Sequence, residues 1–172
     1  DLTFNAPKSV SVLWARADEQ TKTLIQEAQK QAVLNALKLL EDNAAFTRRG
    51  SAGSEFESVE GLVAGLFEHS TSRTQDPHLH THMVLANVAP RSDGTWGTIE
   101  SRNLMLWQKA ASSIYRASLA EDLRNMGYQI EKDNEAFRVV GIPEPICKHF
   151  SKRSELIKSE LAKQPRTQRR SK

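Results

Sequence analysis

The stretch 69-HSTSRTQDPHLHTHMVLANV-88 decides how this chain is read. It holds four of the five histidines: His69, then, after eight intervening residues, His78, His80 and His82. On an extended strand, residues two apart share a face, so His78, His80 and His82 point one way and Leu79, Thr81 and Met83 the other. Val84, Ala86 and Val88 continue the histidine face, with Leu85 opposite. A strand apolar on both sides is expected in the middle of a sheet. His69 closes the preceding apolar segment, and an antiparallel return through residues 70–77 sets it beside His80 and His82. Three imidazoles so gathered can hold one divalent cation while leaving it its double charge and open positions, the condition for polarising an anionic phosphate oxygen. The same spacing also suits hydrogen-bonded surface histidines, and spacing alone does not choose between them.

On the N-terminal side, "DLTFNAPKSVSVLWA" alternates Leu2 and Phe4, then Val10, Val12 and Trp14, which reads as strand broken at Pro7. A chain that opens on a packed strand is expected to be part of something longer. Asp18 is the expected N-cap of a helix through residues 19–43, with Leu24, Ala28, Val33, Leu37 and Leu40 as its core stripe. "AFTRRG" reads as a short strand. Gly50, Ser51, Gly53 and Ser54 form a loop, and "FESVEGLVAGLFEHS" gives one or two strands, with helix an alternative between Gly61 and Gly65.

On the C-terminal side, Asp93-Gly94 marks a hairpin. Ser101 is placed to cap a long helix from Asn103 to Met126 that ends at Gly127. "YQIEKDNEAFRVVGI" reads as another hairpin and "PEPICKHFSKRSELIKSELAK" as one basic amphipathic helix. Hairpins interleaved with long helices indicate an α+β fold, a central antiparallel sheet with helices packed on one side. One domain over residues 1–164 is expected, with 165–172 a basic tail or linker.

The 172 residues, 38% of them hydrophobic, suffice for one core without staples. A single cysteine, Cys147, rules out an internal disulfide and fits a reducing compartment. No apolar run is long enough to span a bilayer. The net charge of +3 and pI near 9.1 lean towards polyanionic partners.

Three segments, "DLTFNAPKSVSVLWA", "FEHSTSRTQDPHLHTHMVLANV" and "IYRASLAEDLRNMGY", resemble in order the MobF-type conjugative relaxases, the TrwC/TraI family of HUH endonucleases. The resemblance implies the palm-like fold of those enzymes. It also implies nicking of one strand at a plasmid transfer origin, in the bacterial cytoplasm, by a tyrosine that becomes linked to the 5′-phosphate. It assigns the metal ligands to His69, His80 and His82 and leaves His78 as a loop or rim residue. Asp1, the aspartate of "DLTF", takes the second ring N–H of a ligand, His82. The cofactor implied is a divalent ion, magnesium or manganese in function, with zinc or nickel accepted in vitro because imidazole favours softer ions. The partners implied are single-stranded origin DNA and other conjugation proteins, for a monomer not inserted in a membrane.

The family's catalytic tyrosines lie upstream of "DLTF". Tyr115 and Tyr128 are explained by helix packing, so the nucleophile is expected from a missing upstream segment and the fragment alone is expected to be inactive. Lys8, Arg73, Gln108 and Arg116 are the candidate DNA contacts, on segments expected to flank the site. Lysine suits phosphate, and arginine and glutamine suit base edges. Trp14, Trp96 and Trp107 are candidates for base stacking or for core. Two other classes fit the histidines: another His-ligated metalloenzyme, hydrolase or oxygenase, and a non-catalytic DNA-binding module that retains the metal site.

Overall fold

The structure, a computed structural model, describes residues 1–163, so the expected tail at 165–172 lies outside the described residues. In chain order the elements are β1 (Leu2–Asn5), α1 (Lys8–Arg16), α2 (Glu19–Ala44), β2 (Phe46–Arg49), β3 (Glu55–Ser58), β4 (Ala64–Thr71) and β5 (Pro77–Leu85). Beyond β5 come β6 (Ala89–Pro90), β7 (Trp96–Gly97), α3 (Ser101–Asn125), β8 (Ile130–Asp133), β9 (Ala136–Val139), α4 (Glu144–His149) and α5 (Lys152–Lys163).

The histidine strand β5 is the middle of a three-stranded antiparallel sheet ordered β1-β5-β4. Two cross-strand rows bring the histidines together: Asn5, His80 and His69 form one, and Thr3, His82 and Phe67 the other. The pleat sends Phe4, Leu79, Thr81 and Met83 to the opposite face, where all are buried. Against that face lie α2 and α3, packed on each other. Tyr115 of α3 sets its ring 5.2 Å from Phe4 and donates its hydroxyl to Gln29 Oε1 of α2 at 2.6 Å. The Gln29 amide in turn donates to the Phe4 carbonyl at 3.3 Å and to Thr81 Oγ1 at 3.2 Å. A buried glutamine is tolerated because both its ends are satisfied, and it joins two helices to two strands.

Several local expectations are corrected. Val10, Val12 and Trp14 are not a strand but part of α1, which starts directly after Pro7. Over so few residues period two cannot be told from helical spacing, and Val10 and Trp14 are also one helical turn apart. Two buried serines of α1 close open backbone donors: Ser11 Oγ accepts the Leu79 N–H at 3.0 Å and Ser9 Oγ that of Val139 at 3.1 Å. In α2 the Asp18 cap is present, accepting from the Thr21 N–H at 2.8 Å. Leu24 is exposed, however, and Ile25 takes its place in a stripe of small residues, Ala28, Ala32 and Ala36, that lets α3 approach closely. The segment between Gly61 and Gly65 is not helical, and β4 runs past His69 to Thr71 with an irregularity between them.

Ser101 is the first residue of α3, and its expected cap is supplied instead by Glu100, whose carboxylate accepts the Arg102 N–H. The helix ends as expected: Gly127, at φ +92°, donates to the Arg124 carbonyl while Tyr128 N–H reaches that of Leu123. The single C-terminal helix is in fact two, α4 and α5, parted at Phe150 and Ser151. The start of α5 is fixed by Asp76, in the turn between β4 and β5, whose Oδ2 accepts the Lys152 N–H at 2.9 Å. β5 stops at Leu85, and Val84 is exposed, so its histidine face is open rather than apolar and covered.

Candidate metal and nucleic-acid site

On the open face of the sheet the rings of His69, His80 and His82 form a nearly equilateral triangle, with centroid separations of 5.2, 5.4 and 5.2 Å. Its Cα positions follow from the register, His69 facing His80 across the strands and His82 two residues further. Three imidazoles bound through nitrogen at about 2.1 Å to one tetrahedral ion have centroids about 5 Å apart, so the spacing fits a shared cation. Among the described residues no three His, Cys, Asp or Glu side chains already have their donors gathered on one point. The backbone fixes the triangle, whereas the swivel of each ring about χ2 is soft and costs little to change.

Hydrogen bonds select the tautomers. His80 Nδ1 lies 2.8 Å from the His78 carbonyl and His82 Nδ1 2.9 Å from Asp1 Oδ2. Both partners accept only, so each Nδ1 carries a proton, and in the neutral ring Nε2 is then the nitrogen with a free lone pair. Thr3 Oγ1 is also 3.2 Å from His82 Nδ1. Burial, and then the neighbouring His69 and His82, push the His80 pKa down and favour the neutral ring that a metal needs. Two of the three rings thus have an acceptor at Nδ1, the His78 carbonyl for His80 and Asp1 for His82.

His78 is not a loop residue. It sits on β5 with its ring 4.6 Å from that of His80 and its Nε2 3.0 Å from Asn5 Oδ1. Desolvation, followed by His80 and the charges on Lys8 and Arg153, takes its pKa down to about 4. His78, His80 and His82 line a cleft of about 490 Å³ together with Phe150, Arg153 and Ile157 of the α4–α5 segment. Arg153 and Lys158 gave no sign in the sequence of belonging here. They arrive through the Asp76 tether, a contact across the chain that local pattern cannot reveal.

The four expected DNA contacts fall in different places. Lys8, first residue of α1, lines the cleft and donates to the Pro77 carbonyl at 2.8 Å; burial lowers its pKa, with the nearby Asp76 opposing. Arg73 is exposed in the β4–β5 turn. Gln108 and Arg116 do share a face, but their groove lies between α3 and the β8–β9 hairpin, with Lys109 and Lys132, and has no lining residue in common with the histidine cleft. Trp14 and Trp107 pack against the core, and Trp96 is exposed on its hairpin. Tyr115 is buried, with its pKa raised by desolvation, and Tyr128 is half-buried against the core.

The sequence model of the TrwC relaxase family matches residues 1–172. The chain belongs to the TrwC relaxase family. It is 35% identical, over 94% of its length, to the multifunctional conjugation protein TraI of Escherichia coli, and 36% identical to that of strain K12. It spans only 9% of those proteins. Its fold matches TrwC complexed with a 27-mer DNA comprising the recognition hairpin and the cleavage site, at a TM-score of 0.84 and 35% identity, over 93% of this chain and 56% of that one. A metal-bound TrwC with oriT DNA matches equally, at 0.84 and 35%, over 93% of this chain and 55% of that one. The α+β architecture is thus that of a relaxase. Among the described residues no helix is long and apolar enough to cross a membrane.

Proposed function

We propose that this chain forms the metal site and part of the DNA platform of a conjugative relaxase, which nicks single-stranded origin DNA by transesterification in the bacterial cytoplasm. The observation that carries the reading is the triangle of His69, His80 and His82, with the Nδ1 atoms of His80 and His82 already committed to a carbonyl and to Asp1. A divalent cation there, magnesium or manganese in function, would supply charge to the scissile phosphate. Asp1, at the Nδ1 of His82, would hold that ring in the tautomer that leaves Nε2 to the ion. In the reaction a tyrosine oxygen bonds to phosphorus, the bond to the 3′-oxygen breaks, and the proton released by tyrosine is balanced by the one gained at the 3′-hydroxyl. Tyr115 cannot be that nucleophile, since it is buried behind the sheet and bonded to Gln29. We place the attacking hydroxyl outside residues 1–163.

The TrwC relative binds DNA that includes both a hairpin and a cleavage site, and two separate DNA-facing regions are proposed for this chain as well. Lys8 and Arg73 would neutralise phosphates near the cleft, while Gln108 and Arg116 would read bases in the groove beside the β8–β9 hairpin. A hydrolase or oxygenase is disfavoured because Asp1, the carboxylate at the triangle, is spent on His82.

Manganese titration calorimetry tests the core of the proposal. His80→Ala and His82→Ala abolish stoichiometric binding and His78→Ala retains it; equal loss from His78→Ala and His80→Ala overturns the ligand assignment. The 172-residue chain alone forms no covalent DNA adduct, and a protease-sensitive adduct would overturn the placement of the nucleophile. In oligonucleotide binding, Arg116→Ala and Gln108→Ala shrink the preference for cognate over scrambled sequence. Lys8→Ala and Arg73→Ala weaken both, each flattening the salt dependence by about 0.7 in log–log slope per phosphate contact.

A further inference from the structure

The open face of the sheet carries one large aromatic ring that neither the metal triangle nor the core uses. Phe67 is more than half exposed at 55%, on a short strand whose other large apolar side chain, Leu66, packs against the core. It stands directly across from His82, in the row Thr3, His82, Phe67, and precedes His69 by two residues on the same face. Cross-strand neighbours of this kind lie about 5 Å apart at Cβ, so the ring borders the triangle at His82. Gly65, the next residue on that face, explains the ring's posture: a Cβ there would sit 3.1 Å from Phe67 Cε2 and 3.4 Å from Cζ. Without a side chain at position 65 the ring reaches back along the strand over that residue, and more than half of it stays exposed. Val84, paired with Gly65 and 44% exposed, extends the same apolar floor.

We infer that Phe67 is a stacking platform for an unpaired base of the nucleotide adjoining the phosphate held at the histidine triangle. This deepens the relaxase reading and rests on it. A phosphate over the triangle has a nucleoside on either side; Arg153 and Lys158 of α5 line the cleft at His78, His80 and His82, and Phe67 stands outside that lining, across the strands from His82. A rigid strand, a glycine that lets the ring recline, and an apolar floor make a surface matched to the π-face of a base, a contact that is tolerant of sequence.

The probe is oligothymidylate, intact or with one abasic position, titrated by fluorescence anisotropy against the 172-residue chain and its Phe67→Leu and Phe67→Trp variants. Phe67→Leu keeps the apolar cover but removes the ring, and is expected to weaken binding of the intact strand about tenfold, within the range that loss of one stacked base allows. Phe67→Trp restores it, and on the strand whose abasic site falls over residue 67 all three proteins bind alike. Wild-type affinity in Phe67→Leu would overturn the stacking role, as would an equal deficit on every abasic strand. Failure of the wild-type chain to bind any single strand would instead remove the reading of this chain as part of the DNA platform, on which the stacking role rests. Manganese binding by Phe67→Leu, unchanged from wild type, shows that the face remains folded.

Discussion

The two faces of the β1-β5-β4 sheet are written by alternate residues of the same strands, yet they share almost no chemistry. One face, Phe4, Leu79, Thr81 and Met83, is sealed under α2 and α3, and its one cluster of polar groups is fully paired through Gln29. The other, Thr3, Asn5, His78, His80, His82 and Phe67, is open, and its polar atoms are aimed at one another or at the cleft. A one-residue pleat therefore separates what holds the molecule together from what it does. The sealed face supplies the rigidity that keeps three imidazoles on a fixed triangle. Substitutions on one face should accordingly spare the property that belongs to the other.

The largest effect belongs to the sealed face. Met83→Ala removes a fully buried side chain one residue from His82, and its cavity is expected to cost about 2–5 kcal/mol in urea unfolding. Manganese binding by the folded fraction should survive. If that affinity collapsed while stability held, the two faces would not be separable as described.

Next comes Asp76, the buried charge that serves the open face by tethering α5. Its carboxylate accepts from Thr74 Oγ1 at 3.1 Å and from the Lys152 N–H at 2.9 Å. Burial alone would raise its pKa, but these bonds and the Lys152 ammonium outweigh burial and hold it below the ordinary 3.8. A carboxylate depressed in the folded state adds stability in full above its unfolded pKa and gives it up as pH falls through the folded value. Asp76→Asn should thus cost about 1.5–3 kcal/mol near neutrality, as expected for bonds to a charged group. Its loss of stability below about pH 4 should be shallower than that of the wild type. An unaltered acid limb would show that the tether is not ionic.

Tyr115→Phe is smaller again. It leaves Gln29 Oε1 buried without its 2.6 Å donor, an omission worth about 1–2 kcal/mol. The same variant tests the nucleophile's place, since covalent DNA chemistry supported by an upstream tyrosine should persist without this hydroxyl.

What is legible in the sequence divides along the same line. Alternation in "HLHTHMV" is enough to separate the two faces of β5, because one strand reports on its two sides independently; its central position is observed, but not for the expected reason of an apolar cover on each side, since the histidine face is open. The approach of His69 is also legible, since a short turn between antiparallel strands leaves little freedom of register. Short segments mislead: the residues after Pro7 have the spacing of a strand and form a helix, and the apparent stripe of α2 is one residue out of phase at Leu24. The open face beyond the triangle is least legible. Arg153 and Phe150 reach the cleft through Asp76, and nothing in the pattern around Phe67 tells it from a core residue, because only the tertiary fold leaves its face uncovered. Such contacts join residues far apart in the chain, so no local period carries them. The split between the Lys8 side and the Gln108 groove has the same cause, since helical spacing fixes which residues share a face but not which layer that face will meet.

The smallest effect is the most searching. His69→Ala and His82→Ala, on the open face, should change unfolding free energy by no more than about 0.5 kcal/mol in the absence of metal, the usual range for exposed substitutions. His69 is exposed on its strand, and His82 is joined to Asp1 and Thr3 by contacts that are themselves accessible to water. An exposed pair of that kind contributes about 0–1 kcal/mol, so its loss is nearly silent. Addition of manganese should then separate the proteins. An ion that binds only the folded state stabilises it by RT ln(1 + [L]/Kd), so wild type gains about 2.7 kcal/mol at a concentration about 100 times Kd, while the two variants gain little. The measurement is a pair of urea titrations for each protein, with manganese and with chelator. A large loss for either variant in chelator would mean that the histidines hold the sheet together, and the division of labour between its faces would fail at the residues on which it was founded.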